Sequence, residues 1–208
     1  MQQILIIDDR KEEIDILYDY FKKKGITGLL KKEDGYLTHT PGDMDNILSE
    51  KDQRDRLVGL LKSQWNKAKI FLIDMALRGG QIETPPVSQQ GLEYFLFEGK
   101  EYTKQTKQLT ELQNGNKHIV FITRLQQYQS KLQLKKEHLT GHLRLVHKPL
   151  WLIGRNTKGE KYRPGKSKEI CLNSDVCDNY KKLTDESVCY KNDCLRNVII
   201  GLLGENSK

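Results

Sequence analysis

No apolar run in this chain of 208 residues approaches the length of a membrane span, so insertion into a bilayer is not expected. It also lacks a basic, apolar leader closed by small residues. The chain opens directly on a strand-like segment, so a secretory signal is not expected and the expected compartment is the cytoplasm. A glycine-rich strand-to-helix turn and a phosphate-loop motif are both missing, which argues against the usual nucleotide-binding designs. Cysteine is sparse and confined to the late part of the chain, at Cys171, Cys177, Cys189 and Cys194. Five residues intervene in the first pair and four in the second, wider than the tight pairs of most zinc knuckles. With disulfides not expected in the cytoplasm, free thiols are favoured over a zinc site or a bridge. His138 and His142 have a spacing that suits one helical face, but Gly141 lies between them and no acidic partner is evident, so surface or loop positions are expected.

What remains is a globular but surface-rich composition, 37% hydrophobic and 30% charged, long enough for one well-buried core. One domain over residues 1–208 is the expected organisation. The net charge of +7 raises the question of a nucleic-acid partner. The lysines, however, fall in short clusters mixed with acids or apolar residues, as in "FKKKG", "LLKKED", "QLKKEH" and "NYKKL". These read as solvated faces, and a nucleic-acid partner is not expected.

Hydrophobic periodicity alternates between strand and helix. "ILII" at residues 4–7 reads as a buried strand, and Ile14, Leu17, Tyr18 and Phe21 then mark one face of a helix that ends near Gly25. A short strand is expected at residues 28–30. Residues 43–67 predict a second helix with Leu57, Leu60, Leu61 and Trp65 inward, leading to the strand "IFLID". "GLEYFLF" predicts a third helix, "HIVFIT" a strand, residues 124–138 a helix, and "HLRLVHKPL" a fifth strand stopped by Pro149. Leu195, Val198, Ile199, Leu202 and Leu203 make an amphipathic closing helix. Alternation of this kind implies right-handed crossovers and a doubly wound parallel sheet with helices on both faces, in which the functional crevice lies beyond the carboxyl ends of the strands.

Two of these strands end in acids. Asp8 and Asp9 follow the first, and Asp74 closes "KIFLID". An acid where a strand gives way to a turn is common enough alone, but Thr123 and Lys148 occupy the corresponding ends of two further strands. Crowded carboxylates repel unless a cation joins them, and an all-oxygen acidic pocket suits Mg²⁺. Lysine and threonine suit the oxygens of a phosphoryl group, and a carboxylate can itself attack phosphorus.

Together "IIDD", "FLID", "GLEYF", "FIT" and "HKP", in that order, resemble the receiver domain of two-component response regulators. The likeness covers the expected strands, the first and third helices and the last helix, more than half of the chain. It implies a five-stranded α/β fold of flavodoxin-like strand order 2-1-3-4-5. It also implies Asp74 as phosphoryl acceptor, Mg²⁺ held by Asp9, Asp74 and the backbone carbonyl of Ala76 with Asp8 acting through water, and phosphoryl oxygens held by Thr123 and Lys148. The Lys148–Pro149 bond would be cis. The implied partners are a histidine kinase or phosphotransfer protein and an unidentified downstream protein. The implied activity is catalysis of the chain's own aspartyl phosphorylation rather than turnover of a small metabolite.

The departures from that family pattern are specific. A receiver has roughly 120 residues, near the common domain size; the extra length here falls in insertions at about 31–50, 79–90, 99–117 and 151–193. Arg124 follows Thr123 where a small residue is usual, and Leu145 stands three residues before Lys148 where receivers carry an aromatic. Leu145 lacks the ring whose inward turn reports phosphorylation, and Arg124 is open to three roles: stabilising the phosphoryl group, blocking the donor or pointing to solvent. Ala76 occupies the place where aspartyl-phosphate phosphatases set a second acid. The alternative function is a phosphorylation-independent interaction module whose insertions form the working surface.

Overall fold

The computed structural model describes residues 3–37, 49–75, 77, 86–97, 105–123, 143–147 and 194–204. Four strands, β1 (Ile4–Ile7), β2 (Ile70–Asp74), β3 (His118–Thr123) and β4 (Leu143–His147), form one parallel sheet in the order β1-β2-β3-β4. The helices of the described residues are α1 (Lys11–Lys23), α2 (Glu50–Gln64), α3 (Val87–Phe97), α4 (Lys107–Gln113) and α5 (Cys194–Gly204). The chain divides into two compact units, residues 1–121 with 130–144 and residues 122–129 with 145–208. None of the described helices is long and apolar enough to cross a membrane.

β1 and β2 are buried on both faces. Ile4, Leu5, Ile6 and Ile7 are all buried, as are Ile70, Phe71, Leu72 and Ile73, so neither strand has a solvent side. Each such side chain contributes about 2 kcal/mol on burial. The two strands pair in the register Ile4 with Ile70, Leu5 with Phe71, Ile6 with Leu72 and Ile7 with Ile73. The pairing starts where Gln3 O accepts from the backbone N–H groups of Lys69 and Ile70, both at 2.7 Å.

α1 buries Ile14, Leu17 and Phe21 as its periodicity predicts, together with Tyr20. Tyr18, expected inward, is only half-buried. Its ring faces two cations instead, with Lys22 Nζ 4.8 Å and Lys32 Nζ 5.0 Å from the centroid. Lys32 Nζ also donates to Asp15 Oδ1 at 2.6 Å, and this bond holds the ammonium above the usual lysine range. The helix stops at Gly25, whose φ of 71° is left-handed. There Ile26 N–H reaches back to Phe21 O and Gly25 N–H to Lys22 O, a Schellman closure.

The strand expected at residues 28–30 is reduced to one isolated parallel bridge on β1, Ile4 with Leu29, and a second bridge joins Asp8, just past β1, to Tyr36. Ile4 donates to Gly28 O and accepts from Leu30 N–H. A 3-10 helix, Lys32–Gly35, then takes the chain out of pairing before it returns to the end of β1. Asp8 N–H bonds Gly35 O at 3.4 Å, and Leu37 N–H bonds Asp8 O at 3.1 Å. Only glycine permits this return, because a Cβ on Gly35 would lie 1.7 Å from Ile6 O.

α2 begins at Glu50, where Ser49 Oγ accepts from Asp52 N–H at 3.2 Å. Residues 43–48 of the longer helix expected from the sequence lie outside the described residues. Leu57, Leu61 and Trp65 are buried as expected, with Val58 beside them, while Leu60 is half-buried. α2 packs on α3 closely enough that a Cβ on Gly91 would come within 2.8 Å of Leu57 Cδ2. At the far end of α2, Trp65 stacks on Phe71 at 5.0 Å and tilts against Phe95 at 4.9 Å. Its indole N–H donates to Glu111. Lys117 Nζ closes the helix terminus by donating to Trp65 O at 2.5 Å and Ala68 O at 2.6 Å. Partial burial pulls its ammonium below the usual lysine range, against the opposing pull of Glu111.

α3 starts at Val87, earlier than the "GLEYF" pattern suggests. The helix α4, capped where Thr106 Oγ1 accepts from Leu109 N–H at 3.1 Å, lies within the 99–117 insertion. α5 buries Leu195, Val198, Ile199 and Leu202, with Leu203 half-buried. The helix expected at residues 124–138, the 151–193 insertion with Cys171, Cys177 and Cys189, and His138 and His142 lie outside the described residues, as does the Lys148–Pro149 bond. Cys194 is the first residue of α5.

Gly35→Ala should lower stability by about 2–4 kcal/mol, since relief requires backbone movement at the β1 edge. Gly25→Ala, with nothing within 4 Å of the new Cβ, should cost only its left-handed backbone, about 1 kcal/mol. Urea unfolding midpoints of the two variants test this difference.

Candidate functional site

The β1–β2 register brings the acids together. Ile7 pairs with Ile73, so the next residue of each chain is an aspartate, Asp8 at the exit of β1 and Asp74 at the end of β2. Asp9 follows before α1 begins. One carboxylate oxygen from each of Asp8, Asp9 and Asp74 lies within 4.8 Å of the other two. All three residues are buried, with 0%, 7% and 2% exposure.

The backbone of Asp8 is fixed on both sides of its peptide by Gly35 and Leu37. Its side chain is fixed by the turn into α1, where Arg10 N–H donates to Asp8 Oδ1 at 2.9 Å. The Arg10 guanidinium approaches the same oxygen, with Nε at 3.8 Å, and reaches Glu13 Oε1 through NH2 at 3.4 Å. Beyond Asp74, Met75 O accepts from Ser88 Oγ at 2.9 Å, so the exit of β2 is tied to the first turn of α3.

Two unit charges at this spacing repel by roughly 3 kcal/mol at an effective dielectric of about 20. A single hydrogen bond offsets only about 1 kcal/mol. The three carboxylates therefore favour a positive charge in their midst, and their hard oxygen donors suit Mg²⁺ or a similar divalent cation better than a thiophilic metal. The residues present fit such an ion.

Of the residues singled out by the sequence, Asp8, Asp9 and Asp74 are thus brought into one cluster. Thr123 is the last residue of β3, and Leu145 belongs to β4; the side chains of both lie outside the described set. Ala76, Arg124, Lys148 and the 79–85 stretch also fall outside the described residues. Two contributors carry no motif signal in the sequence. Arg10 is marked only by its adjacency to the paired acids, and Ser88 only by its place in the first turn of α3. Comparisons of the chain with protein-family models, with curated proteins and with solved structures find no match.

Because repulsion in the cluster is largest when no cation is bound, Asp9→Asn should raise stability in chelator by about 1–2 kcal/mol. Thermal unfolding in the presence of EDTA checks the sign, and a drop in melting temperature would contradict it.

Proposed function

We propose that this chain is the phosphorylatable receiver of a two-component phosphorelay. The observation that supports this most directly is the buried cluster of Asp8, Asp9 and Asp74 at the carboxyl ends of two adjacent parallel strands. On this reading the 28–37 segment, bridged to β1 at Leu29 and Tyr36, takes the place of a second strand. The sheet order is then the flavodoxin-like 2-1-3-4-5, with the crevice at the strand ends.

In the proposed reaction an oxygen of Asp74 attacks the phosphorus of a phosphohistidine on a histidine kinase or phosphotransfer protein. The P–N bond breaks as the P–O bond forms, and the imidazole departs with its electron pair. Asp9 and Asp74, with the carbonyl of Ala76, would hold Mg²⁺ directly, and Asp8 through a water. Bound there, the ion would offset charge on the transferring group. Thr123 and Lys148 would hold the phosphoryl oxygens. The reading as a phosphorylation-independent interaction module draws on Arg124 and Leu145, which depart from the receiver pattern, and on the insertions.

Incubation with acetyl phosphate and Mg²⁺ should add one phosphoryl mass to the intact protein and none to Asp74→Asn. Millimolar Mg²⁺ should raise the melting temperature of the wild type by mass action and leave Asp9→Ala unchanged. A wild type that gains no mass, and in which beryllofluoride does not bind, would favour the interaction-module reading.

A further inference from the structure

We propose that Arg10 is a built-in counter-cation of the acid cluster, which occupies Asp8 when no divalent ion is bound and competes with that ion for the site. The inference rests on the metal-binding reading above and concerns how binding there is regulated. Arg10 caps the start of α1 with extended backbone, φ −114° and ψ 115°, yet its side chain makes no capping hydrogen bond. Instead its guanidinium lies between two carboxylates, with Nε 3.8 Å from Asp8 Oδ1 and NH2 3.4 Å from Glu13 Oε1. Asp8 is fully buried and Glu13 nearly so, while the Arg10 side chain is 37% exposed. The cation thus sits at the rim of the pocket with its charge directed inward.

Arginine keeps its charge throughout the accessible pH range, so this neutralisation cannot be lost by deprotonation. It can be lost by displacement. A divalent ion among Asp8, Asp9 and Asp74 supplies the positive charge that Arg10 otherwise provides, and two cations so close repel. Glu13, one turn along α1, gives the displaced guanidinium a second partner that it already touches. Arg10 therefore gives up its contact with Asp8 and keeps that with Glu13 when metal arrives, and the site trades metal affinity for stability without metal.

The test compares wild type, Arg10→Gln and Arg10→Lys. Calorimetric titration with MgCl₂ should give a dissociation constant about three- to fivefold lower for Arg10→Gln, the scale of one partly exposed ion pair, and near wild type for Arg10→Lys, which keeps the charge. In EDTA the melting temperature of Arg10→Gln should fall below wild type, and saturating Mg²⁺ should close the gap. The glutamine variant retains the backbone N–H bond to Asp8, so a purely structural role at the start of α1 would instead lower both melting temperatures equally. That result, or an unchanged or weaker affinity, would overturn the proposal. Equal binding in wild type and Arg10→Gln refutes the role of Arg10 alone, whereas no binding in either refutes the metal site itself.

Discussion

The register between β1 and β2 is the constraint on which the rest of the site depends. Side chains in a strand alternate faces, so a slip of one residue between two strands moves every side chain to the wrong side. Here both strands are apolar on both faces, and hydrophobic burial alone discriminates weakly between registers. The backbone bonds from Lys69 and Ile70 to Gln3 mark the start of the ladder. Given that start, Ile7 meets Ile73 and the paired acids meet Asp74.

A second layer of restraint keeps the same alignment from the outer edge. The chain between residues 28 and 37 bridges to the β1 segment at its two ends, and the 3-10 helix Lys32–Gly35 between those bridges interrupts the pairing while Gly35 stays packed against Ile6. The close approach at Gly35 fixes the position of Asp8 from the side opposite β2. Asp8 is thus gripped through its backbone on one edge, while its carboxylate meets Arg10 and the other acids.

The parts of this arrangement legible in the sequence were those governed by short-range pattern. "ILII" and "IFLID" could only be buried strands, and their terminal acids had to share a sheet edge once the strands were parallel. A full strand at residues 28–30 does not form because Gly28 and the "KEDG" turn break pairing in a way that apolar content alone does not reveal. Tyr18 has the spacing of a buried residue, but helical spacing cannot distinguish burial from cover by the cations of Lys22 and Lys32. Helix α4 leaves little trace in the sequence because it is short and relies on the Thr106 cap and on tertiary cover of Leu109 and Leu112. Arg10 illustrates a different limit: charge adjacency is visible in sequence, whereas the placement of its guanidinium between Asp8 and Glu13 depends on the path of the backbone at the start of α1.

The hydrogen bond from Ser88 to Met75 has a consequence for the length of the connection between β2 and α3. It holds together the point where the polypeptide leaves β2 and the point where it enters α3, so the two ends of the connection between them are tied. The entropy of closing such a connection grows only with the logarithm of its length, about 0.6 kcal/mol for each doubling. Added residues are therefore thermodynamically inexpensive there, and they transmit little strain to Asp74 because the ends are already tied. The junction can therefore change in length at little cost while the acidic centre beside it keeps its geometry.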